Sequence, residues 1–268
     1  MTGMQKPLQM IVMGADGRLN RMLKQNLHQW GYHVRLWEPD ERNEPAGEDE
    51  PGALLIVDLD GLEDWIEQGG FGSASGRAAW PQAHLTVALG SHTLRRKTLE
   101  ELGAALFVAK PFDISVLRGY LMTLEQVLSE AERPTASLPE EAHKVRVLVA
   151  DDDNRLTALA CGMLSTNERY VARAVHDGIE VLEECLNWNP HCLVMDMMMP
   201  RMNGYQVLRC LQARPGAARL PVVVLSALAG VEVRAEEIAQ PMVAVLEKPV
   251  RSADLLAAVE RALALGVS

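Results

Sequence analysis

The chain has 268 residues, 48% of them hydrophobic and 23% charged, with a formal net charge of −10. That length and apolar content suffice for two ordinary hydrophobic cores. The acidic balance and an aromatic content of 4% argue against nucleic acid as a direct partner, because phosphates are neutralised by clustered Lys and Arg.

The opening MTGMQKPLQM has no long apolar stretch behind a basic region, so no signal peptide is expected. No run approaches the ~20 apolar residues that cross a bilayer. A cytoplasmic chain without membrane insertion is the expectation. An apolar run from Met10 ends on Gly14-Ala15-Asp16 and passes into a helical stretch. The segment 38–52, EPDERNEPAGEDEPG, is acidic and rich in Pro and Gly, and reads as a solvated loop standing where a helix belongs. Next comes LIVDLDGL (55–62), an apolar strand that runs into Asp58 and Asp60. It resembles the nucleophile motif of haloacid-dehalogenase-type phosphatases. That motif wants Thr after Asp-x-Asp-Gly, where Leu62 stands, and no distant acidic pair follows. The phosphatase reading is therefore set aside. LTVAL then ends on Gly90-Ser91, and VAKPF (108–112) carries Lys110-Pro111.

Pro134 and Pro139 forbid a continuous helix through the polar segment 129–144, which reads as a short, partly extended connection. The expected organisation is a first domain over 1–132, a linker over 133–143 and a second domain over 144–268.

Beyond the linker the chain repeats itself. MIVMGADGRLNRMLKQNL (10–27) aligns without gaps on VLVADDDNRLTALACGML (147–164), LLIVDLD on CLVMDMM, and VAKPF on LEKPV. The offsets agree to within one residue: 147 − 10 = 137, 196 − 58 = 138 and 248 − 110 = 138. In the second copy the apolar runs are VRVLVA, YVARAV, HCLVMD, LPVVVLS and MVAVLE. The helical stretch between the first two places Leu156, Leu159, Ala160 and Met163 on one predicted apolar face. Continuous β-branched runs alternating with helices predict parallel strands covered on both faces. The fold class expected is α/β: two tandem flavodoxin-like (βα)5 domains, each a doubly wound five-stranded parallel sheet. Ligands of such sheets sit beyond the carboxyl ends of the strands.

At those ends the second copy places Asp151-Asp152-Asp153, Asp196, Ser226 and Lys248-Pro249. Crowded carboxylates repel one another unless a cation intervenes, and Mg2+ suits one or two carboxylates, a carbonyl, waters and phosphate oxygens. Acids, one Lys and one hydroxyl are what phosphoryl transfer to a carboxylate requires. This set, Asp-Asp, Asp-(x)3-Pro-(x)3-Gly, Ser and Lys-Pro, resembles the receiver domain of response regulators from residue 145 to about 265.

The resemblance implies that Asp151 and Asp152 are the metal-binding acid pair and Asp196 the phosphoacceptor and a metal ligand. It further implies that Met198 offers its backbone carbonyl to Mg2+, that Ser226 is the switch hydroxyl, and that Lys248 contacts the incoming phosphoryl group. Pro200 and Gly204 shape the loop after the acceptor, and the Lys248-Pro249 bond is often cis in this family. Val245 stands where an aromatic is usual, and having no ring to swing it departs from the usual output relay. Met198 and Leu228 flank the site without polar groups, which predicts slow self-dephosphorylation.

Set against this copy, the first has Gly14 and Ala15 for the acid pair, and its switch hydroxyl is missing or shifted by one at Gly90-Ser91. Asp58 and Lys110 remain, so the first copy is expected to be a pseudo-receiver that holds no magnesium. A non-enzymatic two-component switch is implied. Its partners would be a sensor histidine kinase or a histidine phosphotransfer protein and a downstream protein target, with a dimer left open. A regulatory part of a longer effector such as a diguanylate cyclase, and a phosphorylation-independent scaffold, are the alternatives. Cys161, Cys185, Cys192 and Cys210 form no CxxC pair and read as free thiols. Trp30, Trp65, Trp80 and Trp188 read as core or interface.

Overall fold

The computed structural model describes residues 9–37, 54–62, 85–91, 104–129, 144–213, 220–226 and 242–265. The loop 38–52, the linker 133–143, Trp65, Trp80, Leu228 and the segment 229–241 lie outside the described residues. The chain divides into two compact units, Met1–Gly119 and Tyr120–Ser268.

In the first unit, β1 (Gln9–Met13), β2 (His33–Trp37), β3 (Leu54–Asp58), β4 (Leu85–Gly90) and β5 (Leu106–Ala109) make one sheet ordered β2-β1-β3-β4-β5. Every pair is parallel. β3 and β4 are buried along their whole length, as their unbroken apolar sequences require of strands covered on both faces. Helix α1 (Gly17–Gln29) starts where the Asp16 carboxylate accepts the Arg18 and Leu19 amides. It buries Asn20, Leu23 and Leu27. Helix α2 (Ile114–Ser129) buries Leu117, Leu121, Leu124 and Val127, and the division between units falls within it.

The second unit repeats the plan with β6 (Val145–Ala150), β7 (Tyr170–Val175), β8 (Cys192–Asp196), β9 (Val222–Ser226) and β10 (Met242–Glu247), ordered β10-β9-β8-β6-β7 and again all parallel. Among the described residues, helices α3 (Asn154–Ser165), α4 (Gly178–Asn187), α5 (Gly204–Gln212) and α6 (Ser252–Leu265) belong to this unit. Val147, Val149, Cys192, Val194 and Val223 meet Ala160, Leu164, Leu255 and Val259 in its core. Both sheets are the doubly wound parallel type expected.

One expectation about packing fails. The buried face of α3 is Thr157, Ala160 and Leu164, whereas Leu159 is 55% exposed. The helix is turned so that Thr157 goes inside. Its hydroxyl donates to the Asn154 carbonyl at 3.1 Å, which removes the cost of burying it. All four cysteines are free, and burial pushes the Cys192 and Cys210 thiols up to about 12. Trp188 is buried under the Arg173 guanidinium, 4.3 Å from its ring centre, while Trp30 caps α1 half-buried.

Candidate functional site

Because neighbouring parallel strands end at the same edge, the register of β6, β8 and β9 decides which side chains meet. Asp196 pairs with Leu225, one step before Ser226 at the end of β9, and Ala150 pairs with Met195, one step before Asp196. Asp151 therefore emerges beside Asp196. The carboxylate oxygens of Asp151, Asp152 and Asp196 come within 4.8 Å of one another. Asp151 is 1% exposed and Asp196 9%, while Asp152 faces solvent.

Lys248 arrives from the end of β10 and bridges the two buried acids. Its ammonium lies 2.5 Å from Asp151 Oδ2 and also donates to Asp196 Oδ2. Burial by itself would lower its pKa, but the hydrogen bonds to the two carboxylates outweigh that and hold it above the ordinary value. The Lys248 amide donates to the Ser226 carbonyl at 2.8 Å, which fixes the lysine against the end of β9. Ser226 is 9% exposed. The Met198 amide donates to Asp196 Oδ1 at 2.9 Å, and its side chain is exposed. Val245 is exposed on β10. Lys110-Pro111 and Lys248-Pro249 are both cis.

Asp153 does a separate job. Its carboxylate caps α3 through the Arg155 amide, and its own amide donates to Asp151 Oδ1 at 3.0 Å. The run of three acids thus splits into a cap and a pair facing the site.

Three carboxylates against one ammonium leave the cluster with excess negative charge. An all-oxygen set with one solvent-facing member fits a hard divalent ion that keeps part of its water. Asp151, Asp152 and Asp196 are the side chains that would hold Mg2+, with the Met198 carbonyl as the expected fourth protein donor. When bound, the ion would offset the excess charge of the three carboxylates.

Two features here were not read from the sequence. His176 Nδ1 sits 3.2 Å from the Asp151 carbonyl, and its amide donates to Glu180. Arg201, in the loop after Asp196, adopts φ 60 and ion-pairs with Asp177, the buried cap of α4. Gly178 lies against the same loop, where a Cβ would meet the Met202 carbonyl oxygen at 2.4 Å. A non-glycine residue in the left-handed region leaves no mark in composition or spacing.

The pattern of the response regulator receiver domain matches residues 147–260. Within the second unit, residues 147–260 are thus similar to a receiver domain. Over 113 residues the chain is 38% identical to the response regulator MprA of Mycobacterium ulcerans, covering 42% of this chain and 47% of the relative. The MprA of Mycobacterium tuberculosis strain H37Rv is 37% identical over 113 residues, with 48% of it covered. The chain thus spans about half the length of the curated relatives it matches. The receiver domain of the Francisella response regulator 1452 is similar at 28% identity and TM-score 0.41, over 46% of this chain and 98% of that one. A two-component system response regulator/GGDEF domain protein covers 97% of this chain and is itself covered fully, at 17% identity and TM-score 0.42.

Set against the second unit, the first keeps the same backbone frame but differs in the side chains it carries there. Asp58 pairs with Leu89 in β4 as Asp196 pairs with Leu225, which puts Gly90 in the place of Ser226. The Lys110 amide donates to the Gly90 carbonyl at 2.8 Å, just as Lys248 does to Ser226. Yet the Asp58 side chain is fully enclosed, with its Oδ1 bonded by the Lys110 ammonium and by the Asp60 amide at 3.2 Å. Asp58 Oδ2 and Asn20 Oδ1 are buried without a hydrogen-bond partner among the described residues. Burial pushes the Asp58 carboxyl up, against the Lys110 hydrogen bond. A Cβ on Gly14 would fall 2.7 Å from Asp58 Cβ and 3.0 Å from Asn20 Oδ1. The space that Asp151 uses in the second unit is therefore closed here as well as empty of ligands.

Proposed function

We propose that the chain is a two-component signalling switch in which Asp196 accepts a phosphoryl group from a phosphohistidine partner, a sensor histidine kinase or a histidine phosphotransfer protein, with Mg2+ as cofactor. An Asp196 oxygen forms the new bond to phosphorus while the bond from phosphorus to the histidine nitrogen breaks. The electron pair stays on that imidazole nitrogen, which takes up a proton. Lys248 holds the acceptor and a non-bridging oxygen of the transferred group, and Asp151 keeps Lys248 aimed between them. The acyl phosphate adds charge at the edge lined by Ser226 and Lys248 and biases the unit between two surfaces, with output through a protein partner.

The observation that carries this reading is the Lys248 bridge between two buried acids inside a three-carboxylate cluster. The domain limits 1–132, 133–143 and 144–268 belong to the same proposal, with the first domain a docking or regulatory module that takes no phosphate. Intact-mass analysis after incubation with Mg2+ and a small phosphodonor tests it. One phosphoryl group is expected on the wild type and none on Asp196→Asn. Equal uptake by the two refutes the assignment.

A further inference from the structure

Two residues after the acceptor position the second unit has Met198, exposed to solvent, and the first has Asp60. The turn there explains where Asp60 points. The Leu62 amide donates to the Leu59 carbonyl at 3.1 Å, and Gly61 has φ 84, so Leu59–Leu62 is a tight turn whose third position needs glycine. Held this way, Asp60 reaches across the end of the sheet. Its Oδ2 lies 3.1 Å from the Lys110 ammonium, and its Oδ1 accepts the Ser91 amide at 2.9 Å. Burial opposes the charge on Asp60, but the bonds from Ser91, both amide and hydroxyl, and from Lys110 outweigh it and keep the carboxyl below its ordinary value.

These partners have a meaning that the second unit supplies. There the lysine after the fifth strand and the end of the fourth strand flank the acceptor, and a phosphoryl group on Asp196 would be the anion between them. In the first unit that anion is already present as a side chain, and the Ser91 amide is bonded to it.

We propose that Asp60 is a built-in anion that stands in for a phosphoryl group in the first unit, tying the Lys110 ammonium to the start of the segment after β4. The first unit then keeps the surface of the charged state whatever its partner kinase does. It acts as a fixed reference module beside a switchable one. The enclosure of Asp58 fits this role, because a unit locked in one state has no use for an acceptor. The inference rests on the acceptor chemistry proposed for the second unit.

The full-length chain allows a direct test by amide hydrogen exchange. Asp60→Asn keeps the shape and removes the charge, and the Ser91 amide is expected to exchange about tenfold faster, the equivalent of one charge-assisted hydrogen bond. Retained protection of the Leu55–Val57 amides shows that the sheet stays folded. In Asp60→Ala, inorganic phosphate is expected to restore protection at Ser91, a response that a purely structural role would not give. In the wild type, Mg2+ with beryllofluoride is expected to change exchange at the ends of β9 and β10 and to leave Ser91 untouched. Unchanged exchange in Asp60→Asn, no recovery with phosphate, or slowing at Ser91 under beryllofluoride overturns the proposal. Failure of Asp196 to take up phosphate would sink the function proposed above while leaving the Ser91 readout intact.

Discussion

Replacing Lys248 by Met removes the ammonium that bridges two carboxylates and leaves a side chain of similar length. Asp151 and Asp196 are 1% and 9% exposed and Lys248 itself is 15% exposed in its side chain, so solvent screens the group little. At an effective dielectric of ~20, a unit charge pair at the 2.5 Å separation from Asp151 interacts by roughly 6–7 kcal/mol before desolvation is charged against it. Removing one partner of a buried pair costs ~3–5 kcal/mol, because the remaining charge stays buried without compensation. The second unit should therefore lose about 3–5 kcal/mol in the absence of metal. The Val194 and Met195 amides on β8 report this unit alone, and their hydrogen exchange gives the opening free energy directly. Added Mg2+ should restore more of the loss in Lys248→Met than it adds to the wild type, since the ion offsets the same carboxylates. A variant within about 1 kcal/mol of wild type without metal, or one indifferent to Mg2+, would refute the reasoning.

Further outcomes follow from other contacts. His191 Nδ1 accepts the Arg146 amide at 2.9 Å, and burial together with the Arg146 charge holds the imidazole below its ordinary pKa. The folded chain disfavours the protonated ring, so this stability is present above about pH 6.5 and is lost as pH falls toward the lowered folded value. His191→Asn keeps an acceptor but cannot titrate, and its urea midpoint should fall less than that of the wild type between pH 7 and pH 5. Gly178→Ala drives a methyl toward the Met202 carbonyl oxygen at 2.4 Å and Val207 Cγ2 at 2.6 Å. It should cost about 1–3 kcal/mol and slow phosphate uptake, because Met202 lies in the loop behind Asp196. The double change Gly14→Asp with Ala15→Asp restores the missing acid pair in sequence only. Calorimetry should show no magnesium binding beyond that of the same chain without the double change, with the first unit less stable, since Asp58 and Asn20 fill the space.

The strands were legible because unbroken apolar runs such as VVVLS and LLIVD admit few environments other than a covered parallel sheet. The site was legible because the strand register carries Asp151, Asp196, Ser226 and Lys248 to one edge, and spacing in the sequence encodes that register. What escaped depends on contacts across the fold. The rotation of α3 turns on a hydroxyl bonded to its own helix at Thr157, while hydrophobic periodicity pointed to Leu159. The loss of ligands in the first unit was plain from Gly14 and Ala15. The closure around Asp58 was not, because it arises from the missing Cβ of Gly14 against side chains on β3 and α1. In the sequence Asp60 stood only as the second acid of LIVDLDGL, and only the turn at Gly61 shows it bonded to Ser91 and Lys110.

Phosphate uptake measured residue by residue bears most directly on the account. Wild-type chain, Asp58→Asn and Asp196→Asn are each incubated with Mg2+ and the same small phosphodonor, and the modified peptide is located by mass spectrometry. The account predicts one phosphoryl group on Asp196 in the wild type, the same group in Asp58→Asn, and none in Asp196→Asn. Phosphate found on Asp58, or uptake that persists without Asp196, would contradict it.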